Sequence, residues 1–300
     1  MKIQQLLIIT VAITLVISLA CITVFPSVHD FLEYNTTWNG IRQSLNGLNA
    51  STINSPQKLT QTDTNSALIC IPYIQYDNTE LGSYKNFLDN GGTLMLMDDF
   101  GYGNSILEYL NISCRFSGVP LLDPLFCYKN QWFPLITDFN PSFNKDVKEI
   151  VLNHATALIN TENTEVIAWS SSSSYLDQNG NESPDDGEQK GPLPVAVEMR
   201  FGSGTIILVS DPSILVNSML GKYDNMLFIK TLASADSSGE NIVMDTSHLV
   251  KDPMDVTKSR LVGIKNVLSQ PYAVLGIVFL LFIFTSIYML RIGGAIGRKS

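Results

Sequence analysis

The stretch ALICIPYIQYDNTELGSYKNFLDNGGTLMLMDD, residues 67–99, decides the fold. It opens on an apolar run, Ala67 to Ile74, bounded by turn residues, which reads as a buried strand. Leu81, Tyr84, Phe87 and Leu88 then recur at helical spacing on one face, and Asn90-Gly91-Gly92 stops the helix. Thr93 to Asp99 is a second apolar run, ending in two aspartates. Strand, helix, strand, with continuously apolar strands, is the pattern of a parallel sheet covered on both faces. The expected fold is therefore α/β, a doubly wound and mainly parallel sheet.

Upstream, NTTWNGIRQSLNGL places Trp38, Ile41, Leu45 and Leu48 at helical spacing and predicts a short amphipathic helix. Downstream, NSILEYL predicts another helix, and an aromatic region follows in which Pro120, Pro124 and Pro134 exclude long helices. Strands return in EIVLN, EVIAWSSSS, PVAVEMRF and TIILVSD, the last two joined by Gly202-Ser203-Gly204 as an antiparallel hairpin. Ser170 to Ser174 finish a strand and enter a loop. PSILVNSML and DNMLFIKTLASA read as helices, and residues 241–270 as a linker.

Residues 6–25 and 271–290 contain no charged side chain, and each is long enough for a helix to cross a bilayer. All 28 Asp and Glu lie in residues 27–270 with 15 of the 19 Lys and Arg, a formal charge of −13. Lys2 precedes the first segment, and Arg291, Arg298 and Lys299 follow the second, so the positive-inside rule places both termini in the cytoplasm. Lys251, Lys258, Arg260 and Lys265 oppose that orientation. The expected organisation is an anchor over 1–26, an external α/β domain over 27–240, a juxtamembrane linker over 241–270, a second membrane helix over 271–290 and a cytoplasmic tail over 291–300. A cleaved leader ending near Ser27 is the alternative reading of the first segment, and SLAC at Ser18 to Cys21 faintly resembles a lipoprotein box.

The acidic balance excludes nucleic acid as a partner, since phosphates demand a basic face. Sequons at Asn35, Asn49, Asn111 and Asn181 fit an external domain. An external compartment would permit a Cys114–Cys127 disulfide, and no C-x-x-C pair exists for zinc. Gly293 and Gly297 form a G-x-x-x-G spacing past the second segment.

Two constellations could carry chemistry. In LMLMDDFGYGNS and IILVSDPSILVNS a strand ends in aspartate and reaches Asn-Ser six residues later, so Asp98, Asp99, Asn104, Asp211 and Asn217 could line one rim at the carboxyl ends of parallel strands. As caps and turn formers these residues need no ligand. Gly101-x-Gly103 is not a dinucleotide loop, because Ile106 stands where a third glycine belongs and the acids would repel a pyrophosphate. The second constellation is DQNGNESPDDGE, where Asp177, Asn179, Asn181, Ser183, Asp185 and Glu188 occupy positions 1, 3, 5, 7, 9 and 12 of a calcium-loop register. Its glycine is at position 4, Glu182 stands at position 6, and no helices flank it, leaving a solitary calcium loop or a solvated acidic loop.

No G-x-[CS]-x-G elbow exists, Cys70 lies inside a strand, and His29, His154 and His248 neighbour no candidate nucleophile in sequence. The expected function is a non-enzymatic binding or assembly domain with a membrane or envelope protein, a glycan or a small molecule as partner. The alternative is a metal-assisted hydrolase or transferase using Asp98, Asp99 and Asp211. TLMLMDDFGYGNSIL, YLDQNGNESPDDGEQKGPLPVAVEM, GSGTIILVSDPSILVNSML and YDNMLF, between two terminal anchors, resemble an uncharacterised prokaryotic group of membrane-anchored proteins with a class I glutamine amidotransferase-like domain. The resemblance implies a flavodoxin-like sheet without the amidotransferase's cysteine and histidine, and gene neighbourhoods with MoxR-type ATPases; it implies no substrate.

Overall fold

The computed structural model describes residues 3–61, 66–143, 145–234 and 241–270, with 272, 275, 276, 279 and 283. The central sheet has eight strands: β1 Ser51–Ile53, β2 Ala67–Cys70, β3 Thr93–Met97, β4 Asp138–Phe139, β5 Glu165–Trp169, β6 Pro194–Phe201, β7 Gly204–Val209 and β8 Ile242–Asp245, in the order β1-β8-β2-β3-β7-β6-β5-β4. The first five in that order are parallel to one another, and the remaining pairings are antiparallel. The mainly parallel α/β sheet and the β6–β7 hairpin expected from the sequence are both present.

The helices are α1 Ile3–Val24, α2 Arg42–Gly47, α3 Asn78–Asp89, α4 Gly103–Tyr109, α5 Asn217–Leu220, α6 Asn225–Ser234 and α7 Pro253–Leu268. Alternation along the strands sends Leu68, Leu94, Leu96, Ile206 and Leu208 to one face, against Leu81, Tyr84, Phe87 and Leu88 of α3 and Ile106 and Leu107 of α4. Ile69, Met95, Met97, Ile207 and Val209 point to the other face, against Leu45 of α2 and Phe228, Ile229 and Leu232 of α6. Helix α3 begins at a capping box in which Asp77 accepts from Thr79 and Glu80 amides while Glu80 accepts from the Asp77 amide.

Several local expectations are corrected. The helix expected from Asn35 is confined to Arg42–Gly47, because Asn35, Thr37 and Asn39 bond one another through their side chains. That closure brings Gly40 so near the Asn35 carbonyl that a Cβ there would sit 2.0 Å from its oxygen. PSILVNSML breaks at extended Val216 into a 3-10 turn, Pro212–Leu215, and the short α5. Residues 242–245, read as part of a linker, form β8, which enters the sheet between β1 and β2.

The chain divides into two units, Ser27–Lys251, which is the sheet with its helices, and Met1–Pro26 with Asp252–Ser300. Among the described residues one helix, Ile3–Val24, is long and apolar enough to cross a membrane. The second expected membrane segment, the tail and Gly293 and Gly297 lie almost wholly outside the described residues.

Candidate functional site

Aspartates stand at the carboxyl ends of the parallel strands β3, β7 and β8, at the same edge of the sheet: Asp98 directly after β3, Asp211 two residues after β7 and Asp245 as the last residue of β8. Beyond β3, Asp98 is the centre of a turn: its Oδ1 accepts from the amides of Asp99 at 2.9 Å and Gly101 at 2.8 Å, and its Oδ2 from that of Gly103 at 2.7 Å. The Gly-x-Gly pair follows from this wrapping, since a Cβ on Gly101 or Gly103 would lie 2.6 Å from an Asp98 oxygen. Asp99 accepts from the Tyr73 hydroxyl at 3.0 Å and the Phe100 amide at 2.6 Å. Beyond β7, fully buried Asp211 accepts from the amides of Asn153 at 2.6 Å and Ser213 at 2.7 Å.

Burial dominates the electrostatics of this rim. It pushes the Asp98 carboxyl up to about 6, against the pull of the Gly103 and Gly101 amides. It also raises Asp99, where the Phe100 amide and the Tyr73 hydroxyl pull the other way. Asp211 is held well above the usual carboxylate range, by burial first and with the charge of Asp99 adding to it. The Tyr73 hydroxyl is raised by burial and by its carboxylate neighbour Asp99. Asp98, Asp99 and Asp211 thus share one neighbourhood, while their ligand atoms do not gather within 4.8 Å as a three-carboxylate group.

Asn104 and Asn217 serve other segments. Asn104 closes a two-point bridge to the Phe116 backbone, donating at 2.9 Å and accepting at 3.0 Å. Asn217 accepts from the Gln43 amide and donates to the carbonyls of Asn35 and Thr37.

The solvent side of the rim is aromatic. Phe100 and Tyr102 are nearly half exposed, Trp132 stacks on His154 with ring centroids 4.8 Å apart, and the charge of His154 acts on Asp99. Tyr73, Asn153, His154 and Trp132 were not singled out from sequence as rim residues; only the fold brings residues 153–156 across the end of β7, through Thr156 N–H to Ser210 C=O at 3.0 Å.

A second polar cluster surrounds the end of β8. The Cys70 thiol lies 3.0 Å from the Tyr76 hydroxyl, Tyr84 donates to Asp245, and Ser247 donates to Asp245 at 2.6 Å. His248, set apart from any partner by sequence, has Ser247 Oγ 2.7 Å from its Nδ1 and Glu80 3.2 Å from its Nε2, and its ring stacks on Tyr76 at 3.5 Å. Burial pushes the Cys70 thiol up to about 12, which keeps it protonated and unreactive.

In the loop 177–188, Asp177 accepts from the amides of Gly180, Asn181 and Glu182. Asn179 and Asn181 both donate to Asp185 at 2.7 Å, and Glu188 accepts from the amides of Gln178 and Asp185 at 3.0 Å. Ser183 donates its amide to Asn181 Oδ1 at 2.9 Å. Glu182 takes a positive φ of 59° at the position where calcium loops carry glycine. Cys114 and Cys127 are free thiols: Cys114 is buried in the apolar cluster that includes Ile106 and Leu107, whereas Cys127 pairs with Pro134 in a hairpin, so the permitted disulfide is absent.

The N-terminal domain of mmIFT52 is similar over 63% of this chain and 83% of its own, at 13% identity and a TM-score of 0.46. A β-galactosidase from Bacillus circulans sp. alkalophilus shares 14% identity over 56% of this chain and 22% of its own, at a TM-score of 0.35. The cytoplasmic protein STM1381 from Salmonella typhimurium LT2 shares 14% identity over 64% of this chain and 80% of its own, at 0.40. Likeness of this degree carries no functional argument. No curated protein matches the sequence. A family model for a domain of unknown function, DUF4350, matches residues 33–233, from before α2 to the end of α6, and the chain belongs to that family.

Proposed function

We propose that this protein is a membrane-anchored, extracytoplasmic binding or assembly domain whose strand-end rim engages another membrane or envelope protein. In this reading the sheet is a class I glutamine amidotransferase-like, flavodoxin-like scaffold without its nucleophile, held by two spans with both termini in the cytoplasm. The observation that carries it is the use made of the rim carboxylates. Asp98 and Asp211 give both oxygens to backbone amides, so they fix loops and leave exposed Phe100 and Tyr102, with half-buried Trp132, as the aromatic recognition face. Aromatic side chains supply large contact areas at low entropic cost.

The test is a photo-crosslinking amino acid at Phe100 or Trp132 of the full chain in its native membrane. A discrete protein adduct is expected at both positions; adducts no more frequent than at exposed Glu108 on α4 would overturn the proposal. The second reading, a hydrolase or transferase using Asp98, Asp99 and Asp211, is favoured by one observation, three carboxylates raised by burial at a single rim.

The same proposal assigns calcium to Asp177, Asn179, Asn181, Ser183, Asp185 and Glu188. The supporting observation is that Asn179 and Asn181 both donate to Asp185 while Asp177 and Glu188 accept from backbone amides of the same loop, with Ser183 bonded through its amide. A hard cation would replace the Asn-to-Asp185 bonds after rotation of two amides. Titration calorimetry of the full chain with calcium tests it, and absence of heat at millimolar metal removes it.

A further inference from the structure

In the two-span reading proposed above, helix α7 lies between two membrane boundaries. Near its start, Lys258 is buried and its Nζ donates to the carbonyl of Phe25, the residue that follows α1. At its end, Leu268 is followed by two residues and then by the charge-free run 271–290. A helix fixed at one end to the exit of the first span and at the other to the entry of the second has both ends at one membrane face. We infer that α7 is an interfacial helix lying along the outer membrane surface, and that its occupant is the headgroup layer of a bilayer containing anionic phospholipid. This rests on the two-span reading proposed above.

The side chains of α7 match that position. Val256, Ile264, Val267 and Leu268 are exposed and fall within about 120° of helical arc, an apolar stripe of the width that buries into an interface. Arg260 lies within the stripe and Lys265 at its flank, where long stems bury along lipid and cationic heads reach phosphate. Against Lys258, Arg260 and Lys265 the helix carries one acid, Asp255, in a chain of formal charge −9. A straight continuation of α7 into the bilayer fits worse. It would extend the second span from about residue 259 to 290, roughly 48 Å of helix for a core of about 30 Å, and would immerse Arg260 and Lys265. Half of the basic series that opposes the positive-inside rule is then explained, because Arg260 and Lys265 address headgroups on the outer face while Lys258 is taken by the Phe25 carbonyl.

The test places an environment-sensitive fluorescent amino acid at Ile264, Val267 or Asn266, and at Ile13 as a reporter of the first span, in the full chain. The chain is reconstituted in vesicles of phosphatidylcholine with or without phosphatidylglycerol. Expected are blue-shifted emission at Ile264 and Val267, quenching there by lipid-borne quenchers at shallow depth, and water-like emission at Asn266. Arg260→Glu with Lys265→Glu should remove at least half of the Val267 shift in the anionic vesicles. Water-like emission at both Ile264 and Val267 with Ile13 still blue-shifted overturns the interfacial helix alone. Equally deep signals at all three α7 positions overturn it in favour of a long span. An unchanged Val267 shift after charge reversal overturns the anionic partner. Water-like emission at Ile13 overturns the anchored reading on which the inference depends.

Discussion

The Tyr84 hydroxyl, on α3, donates a hydrogen bond to the Asp245 carboxylate at the end of β8, 161 positions along the chain. That bond ties the last strand of the sheet to the helix that covers it. Asp245 Oδ1 is taken by the amide and hydroxyl of Ser247, so Tyr84 is the partner of the other oxygen. Tyr84→Phe leaves a buried carboxylate oxygen without that donor, which costs about 1.5–3 kcal/mol. Urea unfolding should show the loss as a lower midpoint at unchanged slope; an unchanged midpoint would mean that the bond contributes nothing.

The acidic rim sets a pH dependence. Because the folded-state value of Asp98 is raised from 3.8 to about 6, the native state holds its proton more tightly than the unfolded chain. Its contribution to stability is fully present below pH 3.8 and is lost as pH rises through 6, an effect of up to about 3 kcal/mol. Asp99 and Asp211 are shifted in the same direction and act with the same sign. Carboxyl carbon chemical shifts should show Asp98 titrating near pH 6, and a midpoint near 4 would refute the burial argument.

How far the sequence revealed this arrangement depended on run length and on distance along the chain. β3 and β7 were legible because each offers four consecutive apolar residues, Leu94 to Met97 and Ile206 to Val209, ahead of its aspartate. β8 has only Ile-Val-Met ahead of Asp245, too short a run to separate from a linker, so the third strand-end aspartate and its Ser247 and His248 neighbours went unread. The caps were legible in kind, since Asp and Asn at strand ends satisfy loop amides. Their partners were not, because Tyr73 to Asp99 and Asn153 to Asp211 are pairings that only the closed sheet creates. Wrongly extended helices have a related cause: apolar spacing from Trp38 to Leu48 suits a helix, but the Asn35–Thr37–Asn39 side-chain network competes for the same backbone.

Cysteine chemistry should separate by environment. Cys70 is buried with its thiol pushed up to about 12, and Cys127 is partly exposed on a hairpin. Iodoacetamide at pH 8 should alkylate Cys127 in the native protein and reach Cys70 only after denaturation, as read by peptide mass spectrometry. Rapid native labelling of Cys70 would show that the strand β2 environment is open to solvent.

Asn225 joins α6 to the segment beneath it. Fully buried, it accepts from the Val151 amide at 2.9 Å and donates to the carbonyls of Val151 at 3.0 Å and Met219 at 2.9 Å. Asn225→Ala takes this partner from the amide and carbonyl of Val151, while the Met219 carbonyl keeps the Lys222 amide at 2.9 Å, and a loss of about 2–3 kcal/mol is expected. Asn225→Asp keeps the acceptor and removes the donors, so it should restore the Val151 amide bond while taking the side-chain donor from the Val151 carbonyl and adding a buried charge. Thermal unfolding should therefore rank both variants below wild type, and a wild-type midpoint for Asn225→Ala would refute the staple.

The tightest backbone approach in the sheet is at Gly204, the first residue of β7. A Cβ there would lie 2.5 Å from the carbonyl oxygens of Gly92 and Leu88 and 3.1 Å from Leu88 Cα. Those atoms belong to the C-terminal turn of α3 and the entry to β3, so no side chain can rotate away to make room. Gly204→Ala must push β7 from β3 at the first pair of their register, Thr205 with Thr93, and the Thr205 amide bond to Gly92 at 3.2 Å would be strained with it. Overpacking of this kind costs about 1–3 kcal/mol. Gly221→Ala provides the control, because a Cβ there meets nothing within 4 Å. Thermal unfolding should show a clear loss for Gly204→Ala and almost none for Gly221→Ala; equal midpoints would show that the close contact between α3 and β7 yields without cost.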